Sequence, residues 1–345
     1  MRTHDNTLYV TTENAYLARE GDALLVRVEQ ETRLRLPIHT IAGVVCFGPV
    51  TASPFALDLC AENGVTVSFL TAYGRFLARV EGPVSGNVLL RRAQYRASDG
   101  PPAADVAAKI VAAKVANSRT VLLRAQRDHG DGAAAGGSGP LGAAADKLRD
   151  ILERLRSPCP LDEGRGMEGE AANAYFAAFD QLITAQKESF YFRGRSRRPP
   201  MDNVNALLSF LYTLMVHDAR SACETVGLDP QVGFLHRDRP GRPSLALDLM
   251  EELRAFLADR LALSLVNRRQ VAGEGFRTSP VGGVEMDDAT RKAVLVAYQK
   301  RKAEELVHPF LDEKVTVGLV PLIQARLLAR HLRGELDAYP PFFWK

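Results

Sequence analysis

Cysteine is scarce in this 345-residue chain. Cys46, Cys60, Cys159 and Cys223 are scattered, with no CxxC pair and no His-x₃-His beside them. That spacing excludes a cysteine-built zinc site and a disulfide framework, and it predicts reduced, mostly buried thiols in a cytoplasmic protein. No run of about 18 apolar residues exists, so no membrane-spanning helix and no membrane partner are expected. The N-terminus, MRTHDNTLYVTTEN, is polar and runs straight into a strand pattern, unlike a signal peptide. There is no GxSxG elbow for a serine nucleophile. The glycine-rich run HGDGAAAGGSGP at 129–140 lacks a preceding strand and a following Gly-Lys-Ser/Thr, which excludes a phosphate-cradling loop and leaves a flexible surface loop. Charge of one sign is missing too: 44 Lys+Arg against 41 Asp+Glu give a net +3, too little by itself to announce a polyanion.

The distribution of charge says more than its sum. Arg193, Arg195, Arg197 and Arg198 fall in one hexapeptide, and Arg237, Arg239 and Arg242 follow a histidine, His236. Arginine offers planar, bidentate contacts to phosphate, although any one such cluster also reads as a solvated face.

Residues 7–82 read as β-rich. LYVTT, AYLARE, ALLVRVE, TRLRLP, IAGVVCFG, VTVSFL and RFLARVEG are short runs of Val, Leu, Ile and aromatics between turn signals such as Glu20-Gly21-Asp22 and Tyr73-Gly74. One helix fits at Ser53–Glu62, with a capping serine and proline at its first position. Residues 83–102 are expected to be a linker around a short basic helix, and 103–345 to be helical. The expected class is therefore α+β: a β-rich domain followed by a larger all-α domain. Helices are predicted over Asp105–Asp128, Gly142–Arg156, Met167–Gln186, Asn203–Val226, Ser244–Val266, Asp287–Lys302 and Val317–Leu336. The Gly-rich segment 273–286 is expected to be mobile, and the tail YPPFFWK either tucks in as an aromatic plug or meets a partner.

The stretch GFLHRDRPGRPSLALDLMEELRAFLAD, residues 233–259, carries the chemistry. His236 stands on an Arg/Pro/Gly loop, Ser244 reads as a helix N-cap, and Asp248, Glu251 and Glu252 gather on one helical side. Leu245, Leu249 and Leu253 are expected to bury the neighbouring stripe. Glu168, read as opening a helix in MEGEAANAYF, joins His236 and Glu251 as a candidate ligand. Carboxylates with one imidazole suit Mg²⁺ or Mn²⁺. By spacing alone the alternatives stay open: a first-turn carboxylate for Glu168, a core imidazole for His236, a solvated face for Glu251. Asn205 reads as a helix cap first and a ligand-orienting group second, and Tyr212 as a core-edge residue able to line the site.

MEGEAANAYF, RRPPMDNVNALLSFLYTL and GFLHRDRPGRPSLALDLMEELRAFLADRL, in that order, resemble the Cas1 family of CRISPR-associated integrases and endonucleases, and QARLLARHLRG with YPPF is similar to its I-C subtype. The resemblance implies a β-domain that pairs two protomers and a helical domain with one divalent-metal site. It places catalytic metal ligands at Glu168, His236 and Glu251, and leaves Asp248 as a direct or supporting partner. It also implies double-stranded DNA as substrate, joined by attack of a 3′-OH on a phosphodiester, and the small Cas2 protein bridging two homodimers. Arg193, Arg195, Arg197, Arg198, Arg237 and Arg239 would then grip backbone phosphates. The alternatives are a transposon-type integrase of the same fold, against which the I-C-like C-terminal segment and the lack of an appended DNA-binding domain argue, and an architectural DNA-binding subunit without catalysis.

Overall fold

The computed structural model describes residues 6–72, 76–80, 82, 88–129, 139–280 and 282–344. Two compact units emerge, and both are discontinuous in sequence. One is residues 1–85 with 291–303, the other 86–290 with 304–345.

The first unit holds two four-stranded sheets. Strands β1 (Thr7–Val10), β2 (Tyr16–Glu20), β3 (Ala23–Val28), β4 (Glu31–Pro37), β5 (Gly43–Phe47), β7 (Thr66–Leu70) and β8 (Phe76–Val80) follow the seven runs read from the sequence, and the two-residue β6 (Thr51–Ala52) lies outside them. One sheet has the order β1-β5-β7-β8, parallel across its first three strands and antiparallel at β8. The other runs β4-β3-β2-β6, antiparallel except for β2 with β6. Helix α1 (Pro54–Glu62) begins where Ser53 Oγ accepts the Ala56 N–H at 3.1 Å, as expected of a serine cap before proline. Leu17, Leu24, Val44, Leu59 and Val67 form the core, each worth roughly 1.5–3 kcal/mol when fully buried. Cys46 and Cys60 lie in that core, where burial pushes their thiols up to about 12 and about 11. All four cysteines are free. The C-terminal part of the helix Asp288–Ala303 belongs to this unit, with Gln299 Nε2 donating to Thr7 O at 2.6 Å.

The second unit is mostly helical: α2 (Val88–Ser98), α3 (Pro102–His129), α4 (Pro140–Arg154), α5 (Leu161–Ala178), α6 (Asn203–Val226), α7 (Ser244–Leu253), α8 (Arg260–Asn267), the start of α9 (Asp288–Ala303) and α10 (Val320–Leu332). The Ala-rich helix α3 is its axle and packs on α4, α5 and α7. Small side chains permit that close approach from three sides.

The sequence reading differs in three places. The expected linker is partly a docked helix. Gln94 of α2 is buried, donating to Asp229 O and Val232 O at 2.8 Å each and accepting from Asp229 N. Residues 83–87 lie outside the described residues, as do the Tyr73-Gly74 turn and the run 130–138 of the glycine-rich loop. Nor is the C-terminal unit all-α. Antiparallel hairpins join β9 (Phe276–Thr278) to β10 (Val284–Met286) and β11 (Glu305–Val307) to β12 (Lys314–Thr316). The segment expected to be mobile is thus a packed ribbon. A Cβ on Gly283 would sit 2.6 Å from Pro199 Cβ, so that glycine serves close packing, and Val284 N donates to Pro200 O at 2.8 Å.

Among the described residues, no helix is long and apolar enough to cross a membrane.

Candidate metal centre and its arginine-lined cleft

Three elements of the helical unit bring the predicted ligands together. Glu168 comes from α5, Glu251 from the last turn of α7, and His236 from the loop before α7. Glu168 does not open its helix, as read from sequence. Helix α5 starts at Leu161 after Pro160, and Asp162 and Glu163 occupy the first turn. The glycines at 164, 166 and 169 hid that start, because their cost in a helix interior argues against one.

The His236 loop is built around Asp248. This fully buried carboxylate accepts the backbone N–H groups of Phe234 (2.6 Å), Leu235 (3.0 Å) and His236 (2.9 Å). It also meets His236 Nδ1 at 2.7 Å. With Nδ1 carrying the proton toward Asp248, Nε2 is left as a lone-pair donor facing Glu251 Oε1 at 3.8 Å. The oxygens of Asp248 thus meet four donors, all in the Phe234–His236 loop. Gly233 is what allows the loop to lie this close: a Cβ there would fall 2.7 Å from Asp248 Oδ2 and 2.9 Å from Ser244. Ser244 is not the cap read from sequence. It is already helical after Pro243, and its hydroxyl donates to Arg237 O at 3.2 Å.

Glu251 is 3% exposed and ringed by cations. Arg254 Nη2 lies 2.9 Å from Oε1, and Lys114 Nζ of α3 lies 2.8 Å from Oε2 while also pairing with Glu168 Oε1. Burial opposes ionisation of Glu251, but Arg254 and Lys114 outweigh it and hold the carboxyl at about 2. Glu252 does not share that side of the helix. About 100° further round the helix, it accepts from Tyr339 Oη (2.5 Å), Phe342 N (2.7 Å) and Gln324 Nε2 (2.9 Å). Burial pushes its carboxyl up to about 7 against those donors. The C-terminal aromatics are therefore a plug. Trp344 N donates to Asn117 Oδ1 at 2.8 Å, and the indole lies under Arg124 and Arg260 at 3.9 and 4.5 Å.

Immediately after Leu253 the helix widens into a π turn, Arg254–Asp259, before α8. Arg254 stacks on the Tyr212 ring at 4.6 Å, and the Tyr212 hydroxyl donates to Asp259 Oδ1 at 2.6 Å. Tyr212 thus reaches Glu251 through Arg254, which pairs with Oε1 at 2.9 Å. Burial lifts the Asp259 carboxyl to about 6, opposed by the Tyr212 bond and Arg254.

Two further expectations change. Asn205 is not the cap of α6, because Asp202 Oδ1 accepts the Asn205 N–H at 2.7 Å. The buried Asn205 amide instead organises the arginine loop, its Oδ1 accepting from Arg195 Nη1 (2.6 Å) and Ser196 N (3.1 Å) and its Nδ2 donating to Gly194 O (2.8 Å). Arg195 accordingly turns inward, bonding Ser209 Oγ at 3.2 Å and lying 5.1 Å over the Tyr212 ring. Its guanidinium is spent on the loop rather than offered to phosphate. Arg193, Arg197 and Arg198 are exposed, as are Arg237 and Arg239.

Beside Glu251 lies a cleft of about 630 Å³ lined by Glu168, His236, Arg165, Arg237, Arg239 and Arg242, with Asp162, Gly166 and Leu235. Arg165 was not foreseen. It donates to Leu235 O at 2.7 Å and to Asp162 Oδ1 at 2.8 Å, pinning the His236 loop to α5. Arg197 is close enough to depress the pKa of both Arg195 and Arg242, after burial, so the two arginine clusters flank one region.

The donor set fits a divalent cation. It offers two carboxylates, one of them held ionised, and an imidazole with Nε2 free. Glu251 Oε2 is buried with no hydrogen bond beyond its ion pair to Lys114. Among the described residues no three acidic, histidine or cysteine side chains converge as tightly as bound ligands do. Lys114 pairs with both Glu168 and Glu251.

The family model "CRISPR associated protein Cas1" matches residues 8–300. The CRISPR-associated endonuclease Cas1 2 of Rhodospirillum rubrum is 55% identical over 341 residues, covering 99% of this chain and 98% of the relative. The structure of a casposase bound to integration product aligns at TM-score 0.83 and 22% identity, over 99% of this chain and 94% of the casposase. A chain of a Cas6-RT-Cas1–Cas2 complex aligns at 0.81 and 22% identity, over 99% of this chain and 36% of that longer one.

Proposed function

The chain belongs to the Cas1 family of CRISPR-associated proteins, and from that membership we propose that it is a divalent-metal-dependent DNA endonuclease and integrase of CRISPR adaptation. The carrying observation is an Asp248-locked His236 beside Glu251 and Glu168, at the wall of an arginine-lined cleft.

Glu168, His236 Nε2 and Glu251 are the residues that would hold the cation, Mg²⁺ or Mn²⁺. When bound, it supplies Lewis-acid polarisation of a phosphoryl oxygen and stabilises charge on the attacking or leaving oxygen. Asp248 keeps the imidazole in the tautomer with Nε2 free. Arg254, braced on Tyr212, keeps Glu251 ionised and aimed. Arg237, Arg239 and Arg242 line the approach and take backbone phosphates, joined by the exposed Arg193, Arg197 and Arg198. The incoming 3′-OH attacks a target phosphodiester: one P–O bond forms, another breaks, and the displaced strand leaves with its own 3′-OH. Water in place of the 3′-OH gives cleavage, and the reverse attack gives disintegration. Contacts of this kind position duplex DNA without reading sequence.

The partners in this reading are double-stranded DNA, a second copy joined through the β-rich unit, and Cas2 bridging two such dimers in the cytoplasm. The I-C-like C-terminal segment supports that subtype. The likeness to a casposase favours a transposon-type integrase as a second reading. The full-length identity to a CRISPR-associated endonuclease weighs more heavily, because 22% identity carries the fold alone.

The test is joining of a short duplex with free 3′-OH ends into a supercoiled repeat-bearing plasmid, with Mn²⁺, Mg²⁺ or chelator and with Cas2 added. Metal-dependent joining that vanishes in His236→Ala supports the reading. DNA binding with neither joining nor cleavage would move the protein to the architectural class.

A further inference from the structure

Lys114 has no role in the reading above, yet it occupies its centre. It lies on α3, 9% exposed, with its ammonium between Glu168 and Glu251. Among the described residues it pairs with nothing else. Arg254, the other cation on Glu251, is held independently by stacking on Tyr212. One cation is therefore braced, and the other is a point charge on a flexible four-carbon stem.

We propose that Lys114 is a built-in counter-ion that competes with the divalent metal for Glu168 and Glu251 and yields its place when the metal binds. The inference rests on the metal reading of this site. The charge balance supports it. The two glutamates are neutralised by Lys114 and Arg254, so a dication added to all four leaves a buried excess of positive charge. Withdrawal of the ammonium removes half of that excess, and one DNA phosphate removes the rest. Without Lys114 between them, the buried Glu251 and the half-buried Glu168 would lose a shared counter-charge, so Lys114 also holds the pair together until the metal arrives. A mobile ammonium beside an incoming phosphate then has a new partner. Metal and DNA binding are thereby coupled, and the coupling is reciprocal. Lys114 is in this sense a positioning residue, acting on the ligands rather than on the reacting atoms.

The experiment is calorimetric titration of the full-length protein with MnCl₂ alone, comparing wild type, Lys114→Met and His236→Ala. Removing the competing charge should tighten Mn²⁺ binding about ten-fold in Lys114→Met, while His236→Ala weakens it. Thermal denaturation without metal should show Lys114→Met less stable than wild type, with a larger gain on adding Mn²⁺. Should Lys114→Met not stay folded, Lys114→Gln keeps a donor for the carboxylates and should tighten binding in the same direction. Unchanged or weaker Mn²⁺ binding in the folded Lys114 variant, with His236→Ala still weakened, overturns this proposal and leaves the metal reading standing. Absence of Mn²⁺ binding in wild type overturns both.

Discussion

Glu251 and Glu252 are neighbours in sequence, both buried and both on α7, yet their surroundings are opposite. Glu251 faces Lys114 and Arg254, and its carboxyl is held at about 2. Glu252 faces only neutral donors, Tyr339, Gln324 and the Phe342 N–H, and its carboxyl rises to about 7. Cations keep a buried carboxylate charged and available to a metal. Neutral hydrogen bonds hold a buried carboxyl in place without securing its charge. One side of the helix is built to bind, and the other is built to hold the tail.

The largest expected effect separates the two faces by activity. Glu251→Gln should cut metal-dependent joining by about 100-fold or more, ~2.7 kcal/mol in the barrier; Glu252→Gln should leave joining within a few-fold. Equal losses in a quantitative joining assay would erase the distinction between the two sides. Stability should divide the other way. Glu252→Ala strands three buried donors and should cost about 3 kcal/mol by denaturant unfolding, against about 1 kcal/mol for Tyr339→Phe. A neutral Glu252→Ala would mean that the tail is held by its aromatic contacts alone.

The pH dependence sharpens the same contrast. Glu252 is raised in the fold from 4.5 to about 7, so its contribution is fully present below pH 4.5 and is lost as pH climbs through 7. Glu251 is depressed from 4.5 to about 2, so its contribution is present above pH 4.5 and is lost as pH falls through 2. Glu252→Gln should therefore flatten the stability profile between pH 4.5 and 7 and leave the acid limb alone. An unchanged slope in that window would assign the titration elsewhere.

The smallest effects concern the arginines. Arg197→Ala with Arg198→Ala should lower the salt slope of DNA binding by about 1–2. Arg195→Ala should leave that slope alone and loosen the 193–200 loop, since its guanidinium bonds Asn205 and Ser209. A salt slope that falls with Arg195→Ala would return that residue to the phosphate contacts.

What was legible in the sequence was local. Strand runs, the Ser53 cap and the full span of α6 follow from periodicity and capping over adjacent residues. The motifs named Glu168, His236 and Glu251; in the fold Lys114 pairs with both glutamates, and His236 Nε2 lies 3.8 Å from Glu251. What escaped depends on contacts far apart in the chain. Asp248 spends its oxygens on a loop 12 to 14 residues earlier, and Lys114 meets a glutamate 54 residues away. Asn205 and Arg195 were misread because a polar group at a helix start resembles a cap and an arginine in a basic run resembles a surface charge. One signal for Lys114 was available. With Asn117 it sits on the buried stripe of α3 among Ile110, Ala113 and Val121, where an unpaired charge would be costly.

The most direct measurement is anomalous scattering from crystals of the protein soaked in Mn²⁺. The account predicts one strong peak between Glu168, His236 Nε2 and Glu251, with the Lys114 ammonium moved away from the carboxylates. A peak elsewhere, or an ordered ammonium still bridging Glu168 and Glu251 in saturating Mn²⁺, would contradict it.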